Sequence, residues 1–288
     1  MNIADQIENL KTNNLIIEDE EDASRVLNEV SYYRLIKAYG KYFTNKNGRY
    51  NDGTSFERVW RVYEFDDELR QLIIPYIQRI EITLRCRISN YFCVRYGVLG
   101  YKTRENFEEG KFDELDEKID LCFIQAKDSP IMKNFKNNYE DGLPPFYAAV
   151  ELFSFGVLVR FFNSMRLEDR KAIADMYVNV NEYYLGSWLK SISYVRNLCM
   201  HYNRLYSRTL VDSPKLYKRQ DGDVDSKTLF SVFCCMRYLY SEYGDWRSFV
   251  GALADLLDDY KDCVKPSKLG FINNWEAKLL DQELIIFK

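Results

Sequence analysis

The stretch WLKSISYVRNLCMHYNRLYSR, residues 188–208, decides how the rest of the chain is read. Taken as one helix over 185–208, at about 100° per residue, it sorts into two stripes. Trp188, Ile192, Val195, Cys199, Tyr202 and Tyr206 recur at steps of three and four and predict a buried face. Ser193, Asn197, His201, Arg204 and Arg208 recur at similar steps and predict a separate polar face. His201, the only histidine in the chain, falls on that polar face. Asn197 lies one turn before it and Arg204 about one turn after it. Arg196 is about 140° round an ideal helix from His201. The two side chains therefore meet only if the arginine stem curls round or the helix loosens.

Working outward, the same helical period recurs almost throughout. It predicts helices at 3–12, 22–43, 54–96, 113–127, 130–139, 145–166, 168–178, 182–207, 226–242, 245–262 and 275–285. TSFE at 54–57 has the form of a capping box, with Thr54 as cap and Glu57 reaching back. Pro75 should kink or split the helix that follows, because it removes a backbone donor and crowds the preceding turn. Residues 44–53 and 212–226 read as polar turn and loop. There is no repeat, no low-complexity tract and no strand-like alternation, so the chain is expected to be all-α. It reads as one unit over 1–288, with a helical extension at 1–50, a bundle core at 51–212 and further helices at 226–288.

Of 288 residues, 47% are apolar, ample for a core. Formal net charge is −4, which by itself argues against a nucleic-acid partner, but distribution matters more than the sum. Residues 190–219 carry Lys190, Arg196, Arg204, Arg208, Lys215, Lys218 and Arg219 against Asp212 alone. An anion would be drawn there. Seven cysteines form no C-x-x-C pair and read as reduced, mostly buried thiols. The first residues look like no signal or transit peptide, and no apolar run approaches membrane-spanning length. A cytoplasmic protein without membrane contact is the expectation.

Imidazole titrates near neutrality and can move a proton. Guanidinium keeps its charge and matches phosphate oxygens with a two-pronged fork. Together they suit RNA cleavage in which His201 handles the proton of a 2′-hydroxyl or leaving oxygen and Arg196 stabilises the phosphorane. The RNA brings its own nucleophile, so no metal or other cofactor is required. Acid–base cleavage usually needs two proton-handling groups, which a homodimer with two His201 side chains would supply, as would a neighbouring tyrosine or an RNA-bound water. Spacing alone is a weak signal, since arginine is common here. A rival is a metal-dependent nuclease built on Glu64, Asp66, Asp67 and Glu68, where hard cations would need converging carboxylates. Arg61 and Arg70 flank that group, so ordinary salt bridges on a charged helix are the simpler reading. Tyr32, Tyr33 and Arg34 are candidates for base stacking and phosphate contact, against a plain role in the core. Arg85 and Arg87, with Lys190, Arg204 and Arg208, are candidates for the RNA backbone, although Glu81 neutralises part of the first pair.

The order of segments resembles the Abi-like (AbiD/AbiF-type) family of bacterial abortive-infection proteins, within the HEPN superfamily of helical ribonucleases. The resemblance rests on LNEVSYYRLIKAYGKYF (27–43), GTSFERVWRVYEFDDELRQLIIPYIQRIEITLRCRI (53–88), PPFYAAVELFSFGVLVRFF (144–162), residues 188–208 and LGFINNW (269–275). It implies an all-helical fold with a phage-defence or toxin role. It also implies an R-x(4–6)-H ribonuclease motif, matched by Arg196 to His201, with Asn197 as the polar residue that orients the site. Metal-independent cleavage, a homodimer that pairs two motifs, and a structured non-coding RNA partner are further implications. A non-catalytic RNA-binding protein of the same fold is the alternative.

Overall fold

In a computed structural model, residues 2–138, 142–240 and 243–281 are described. Helices α1 (Ile3–Thr12) and α2 (Glu20–Glu29) pack on each other at the N-terminus. The spine is α3, 41 residues from Phe56 to Tyr96 and about 60 Å long at the usual rise. Then follow α4 (Phe112–Gln125), α5 (Pro130–Asn138), α6 (Phe146–Ala149), α7 (Phe155–Ser164) and α8 (Leu167–Ala174). Helix α9 (Glu182–Met200) carries the arginine of the motif. The chain continues through α10 (Lys218–Asp221), α11 (Leu229–Leu239), α12 (Tyr243–Asp259) and α13 (Trp275–Leu279). Among the described residues only isolated β-bridges occur and no strand, so the fold is all-α.

The sequence of α3 explains its centrality. Phe56, Val59, Val62, Phe65, Leu69, Ile73, Ile77, Ile80, Leu84, Ile88 and Phe92 recur every three or four residues, and all are buried. Against this stripe pack α6, α9 and α12. Helix α9 lies in turn against α7, α8 and α11. Its close approach to α7 falls at Gly186, where a Cβ would displace the amide end of the Asn163 side chain. One buried cluster links residues from Ile7 to Leu279. All seven cysteines are free thiols, five of them buried.

Several expected boundaries are corrected. The helix expected over 22–43 is broken. Val30 turns extended after α2, and the chain re-enters as a π-helical turn at Tyr33–Lys37 and a 3₁₀ turn at Gly40–Phe43. The wider π turn puts both Leu35 and Ile36 inside, along with Tyr39. Thr54 is not the cap of α3. It is tied through its carbonyl to the amide of Ile16 at 2.9 Å, so Ser55 caps the helix and accepts from the Arg58 amide at 3.1 Å. The helix expected at 145–166 is split at Phe153, whose carbonyl is taken by Arg85 at 3.0 Å, and Ser154 restarts it as the cap of α7. The polar loop at 212–226 contains the single turn α10. The last residues of the helices expected at 130–139, 226–242 and 275–285 lie outside the described residues.

Pro75 neither splits nor ends α3. It sits on an exposed position, where water can satisfy the carbonyl its ring leaves unpaired. Replacing it restores a backbone hydrogen bond at no cost in packing. Pro75→Ala should therefore raise unfolding free energy, by up to about 3 kcal/mol. Denaturant titration checks this, and an unchanged or lower midpoint contradicts it.

Candidate functional site

Helix α9 stops at Met200, well short of the expected 207, and His201 is its C-cap. The Tyr202 amide donates to the Cys199 carbonyl at 3.0 Å and the Asn203 amide to the Leu198 carbonyl at 2.8 Å. This is the Schellman pattern of helix termination, with Tyr202 at the left-handed position (φ 53°) where glycine is usual. The reason lies on α3. Asp66, fully buried, accepts from the backbone amides of Leu205 at 2.8 Å and Tyr206 at 2.7 Å. It also accepts from the Tyr39 hydroxyl at 2.7 Å and the Arg70 guanidinium at 2.9 Å. A buried carboxylate outcompetes the helix's own carbonyls for those amides, and the chain turns aside to reach it.

Burial pushes the Asp66 carboxyl upward in pKa, and Arg70, Tyr39 and the two amides pull it back. The Tyr39 phenol is held far above its ordinary value by burial and by the adjacent carboxylate.

This route breaks the two stripes expected of one long helix. Trp188, Ile192, Val195 and Cys199 are buried, but Tyr202 is 63% exposed, and Tyr206 reaches the core through the turn. Arg204 and Arg208 leave the helical face altogether. The Arg204 guanidinium donates to the Ala38 carbonyl at 3.2 Å and lies over the Tyr42 ring at 5.2 Å. Arg208 donates to the Tyr194 hydroxyl at 3.3 Å.

His201 is exposed, and its side chain makes no hydrogen bond to any described residue. Arg196 is not bonded to it. It donates instead to Asn197 Oδ1 at 3.4 Å, and its Nε lies 3.9 Å from Glu81 of α3. Glu81, mostly buried, is shared with Arg85 at 2.9 Å. A carboxylate thus orients the motif's arginine from the spine, a neighbour that the helical spacing of α9 could not reveal.

The structure brings some of the other candidates together and scatters the rest. Tyr33, Arg34, Arg204 and Arg208 line one cleft of about 350 Å³, beside Lys37, Lys41 and Tyr202. The Arg34 guanidinium donates to the Tyr202 carbonyl at 2.8 Å, joining the π turn to the turn after His201. No carboxylate lines this cleft, and none of its five cations forms an ion pair among the described residues. Burial and the charge of Arg204 push the Lys41 ammonium down, and burial and Arg208 do the same to Arg204. Lys37 and Lys41 were missed because they sit on a segment expected to be a regular helix.

Tyr32 is half-buried and does not line that cleft. Arg85 is held by Glu81 and the Phe153 carbonyl, and Arg87 stacks on the Tyr177 ring at 4.0 Å. Both are engaged inside the fold. Lys190 pairs with Asp212 at 2.7 Å in a separate groove that Asn197 also lines.

The carboxylates at 64–68 do not converge. Asp66 points inward as described, Asp67 pairs with Arg70 at 2.8 Å, and Glu68 accepts from the Tyr260 hydroxyl at 2.7 Å. Among the described residues no group of three or more histidine, cysteine, aspartate or glutamate side chains stands close enough to hold a metal. No described helix is long and apolar enough to cross a membrane.

The model of one family, Abi-like protein, matches residues 25–207. The chain belongs to the Abi-like protein family. The matched stretch runs from α2 to the turn after His201, and so spans the π turn, the spine and the motif. Membership points to abortive infection as the biological setting. No curated protein and no solved structure gave a significant match.

Asp66→Ala should lower unfolding free energy by about 3 kcal/mol or more, because it takes the acceptor from the buried Tyr39 hydroxyl and the Leu205 and Tyr206 amides and leaves Arg70 with Asp67 as its one carboxylate. The amides of Leu205 and Tyr206 should then lose protection in hydrogen exchange. Native-like protection at those two positions would show that the turn is held by something else.

Proposed function

We propose that this Abi-like protein is a HEPN-type, metal-independent endoribonuclease acting in bacterial abortive infection. The observation that carries this reading is an exposed, unpartnered imidazole one residue away from a cationic cleft that no carboxylate neutralises. The Arg196–Asn197–His201 motif supplies the chemistry.

In the proposed reaction a 2′-hydroxyl of the RNA attacks the adjacent phosphorus while His201 takes its proton. The bond from phosphorus to the 5′-oxygen breaks, and that oxygen leaves with a proton. Products end in a 2′,3′-cyclic phosphate and a 5′-hydroxyl, with water consumed nowhere in this step. Arg196 sits beside the phosphorane and stabilises its charge. The contact with Asn197 and the pull of Glu81 set the direction of the guanidinium. In an in-line displacement the attacking and leaving oxygens stand on opposite sides of phosphorus, beyond the reach of one imidazole, so the second proton is assigned to the His201 of another copy in a homodimer. A structured RNA bound to the protein would keep the nuclease in check.

The test is cleavage of end-labelled RNA, alone and with nucleic acid that co-purifies with the protein. Wild type should cut in the presence of EDTA and leave cyclic phosphate ends. His201→Ala and Arg196→Ala should each lower the rate by roughly 10²–10⁴-fold, the usual contribution of a positioned acid–base group. An excess of His201→Ala mixed with wild type should lower the activity per wild-type chain, because each mixed dimer keeps only one of the two imidazoles the reaction uses. RNA binding of equal strength by all three proteins, with no cleavage by wild type under any of these conditions, would make this a non-catalytic RNA-binding protein instead.

A further inference from the structure

Two irregular pieces of backbone meet at the cationic cleft, and each presents a largely exposed tyrosine that stacks on no other ring among the described residues. The π-helical turn Tyr33–Lys37 leaves the Tyr33 ring 79% exposed. π-turns of this kind interrupt regular hydrogen bonding and cluster at functional positions. On the other wall, Tyr202 occupies a left-handed conformation that a bulky residue adopts only at a cost. Glycine would cap α9 there without strain, yet the chain carries an aromatic side chain that is 63% exposed. Neither ring stacks on another aromatic ring among the described residues. The strain at Tyr202 is therefore not offset by packing of its own ring. Arg34, whose guanidinium holds the Tyr202 carbonyl, comes from the same turn as Tyr33. The two irregularities are thus one joined device.

Between these walls stand Lys37, Lys41, Arg204 and Arg208 with no carboxylate among them. Their mutual repulsion calls for an anion, and the two idle rings call for a flat, polarisable partner. One ligand satisfies both demands, a nucleotide whose base is free to stack. We propose that this cleft holds an unpaired nucleotide of the RNA strand next to the scissile phosphate, its base on the exposed rings of Tyr33 and Tyr202 and its phosphate on Lys37, Lys41, Arg204 and Arg208. That the strand is RNA, and that it leads to His201, rests on the ribonuclease reading. The selection for an unpaired base follows from the cleft itself, because a base inside a duplex has no free face to offer.

The experiment measures binding of a fluorescent single-stranded 2′-O-methyl oligoribonucleotide, roughly eight residues long to match single-strand grooves. This probe lacks the nucleophile and is not cut by the proposed reaction. Tyr202→Gly should raise the thermal midpoint, since the left-handed strain is gone, and should weaken binding by roughly tenfold through loss of one stacking platform. Tyr202→Phe should bind like wild type. Lys37→Gln with Lys41→Gln should weaken binding and flatten its dependence on log salt, by about 0.7 for each phosphate contact removed. Both lysines are exposed and make only loose contacts with tyrosine rings, so the fold does not depend on them. A blunt duplex of the same sequence should compete poorly.

The cleft is refuted by wild-type protein that ignores the probe, by full affinity in Tyr202→Gly, by an unchanged salt slope in the double lysine variant, or by equal competition from the duplex. Failure of the ribonuclease reading looks different: the probe binds with the expected pattern, yet unmodified RNA stays intact. Cleavage by wild type with probe binding indifferent to all these substitutions removes the cleft alone.

Discussion

Four hydrogen bonds to one buried carboxylate decide the shape of this molecule where shape matters most. Asp66 gathers Tyr39 from the N-terminal turn, Arg70 from its own helix, and the amides of Leu205 and Tyr206 from the segment after the motif. Burying a carboxylate is costly unless its lone pairs are satisfied, and here each oxygen is used. The consequence is geometric. Three distant parts of the chain must converge on one point, and α9 must end early for its last segment to arrive. The early end places His201 at a helix terminus in solvent and forces Tyr202 into a left-handed turn.

The spine carries a second such contact. Glu81, four turns along α3 from Asp66, stands near Arg196 and is shared with Arg85. Both residues of the motif are therefore referenced to one helix, the histidine through the turn that Asp66 fixes and the arginine through Glu81. Helix α3 crosses Pro75 without a break between those two anchors. A continuous rod between them holds their separation, which a hinge at the proline would have released.

How much of this was legible in the residues depends on whether local pattern or tertiary demand set the outcome. The period of α3 and the buried half of α9 are local and were readable, and so was the all-α class. The exposed position of His201 was readable too, although the stripe that predicted it ran eight residues too far by assuming helix to 208. Nothing in YRLIK announces a π turn, and nothing at Tyr202 announces φ > 0, where glycine or asparagine would have been the signal. Asp66 was hidden by its company. In YEFDDEL it reads as one more member of a solvated acidic run, and its burial is set by residues 27 and about 140 positions away. Arg85 and Arg87 illustrate the converse. Their charge suggested a surface, while the Phe153 carbonyl and the Tyr177 ring draw them inward. The cleft was assembled from fragments each of which looked ordinary, and only the fold put Lys37 and Lys41 beside Arg204 and Arg208.

The long sequence separation of these contacts has a consequence for the protein as it is being made. Arg34 waits for a carbonyl 168 residues downstream, Arg204 for one 166 residues upstream, and Asp66 for amides 139 and 140 residues away. Contacts of this span form late, after the entropy of a large loop has been overcome. A ribosome-bound chain that has exposed α1 to α8 therefore owns the spine and the carboxylate but no turn for it to hold. The geometry around His201 appears only when the last third of the polypeptide emerges, so premature termination or stalling yields fragments with the motif's neighbours and none of its arrangement. For a protein whose proposed activity would harm its own host, synthesis itself then serves as a delay.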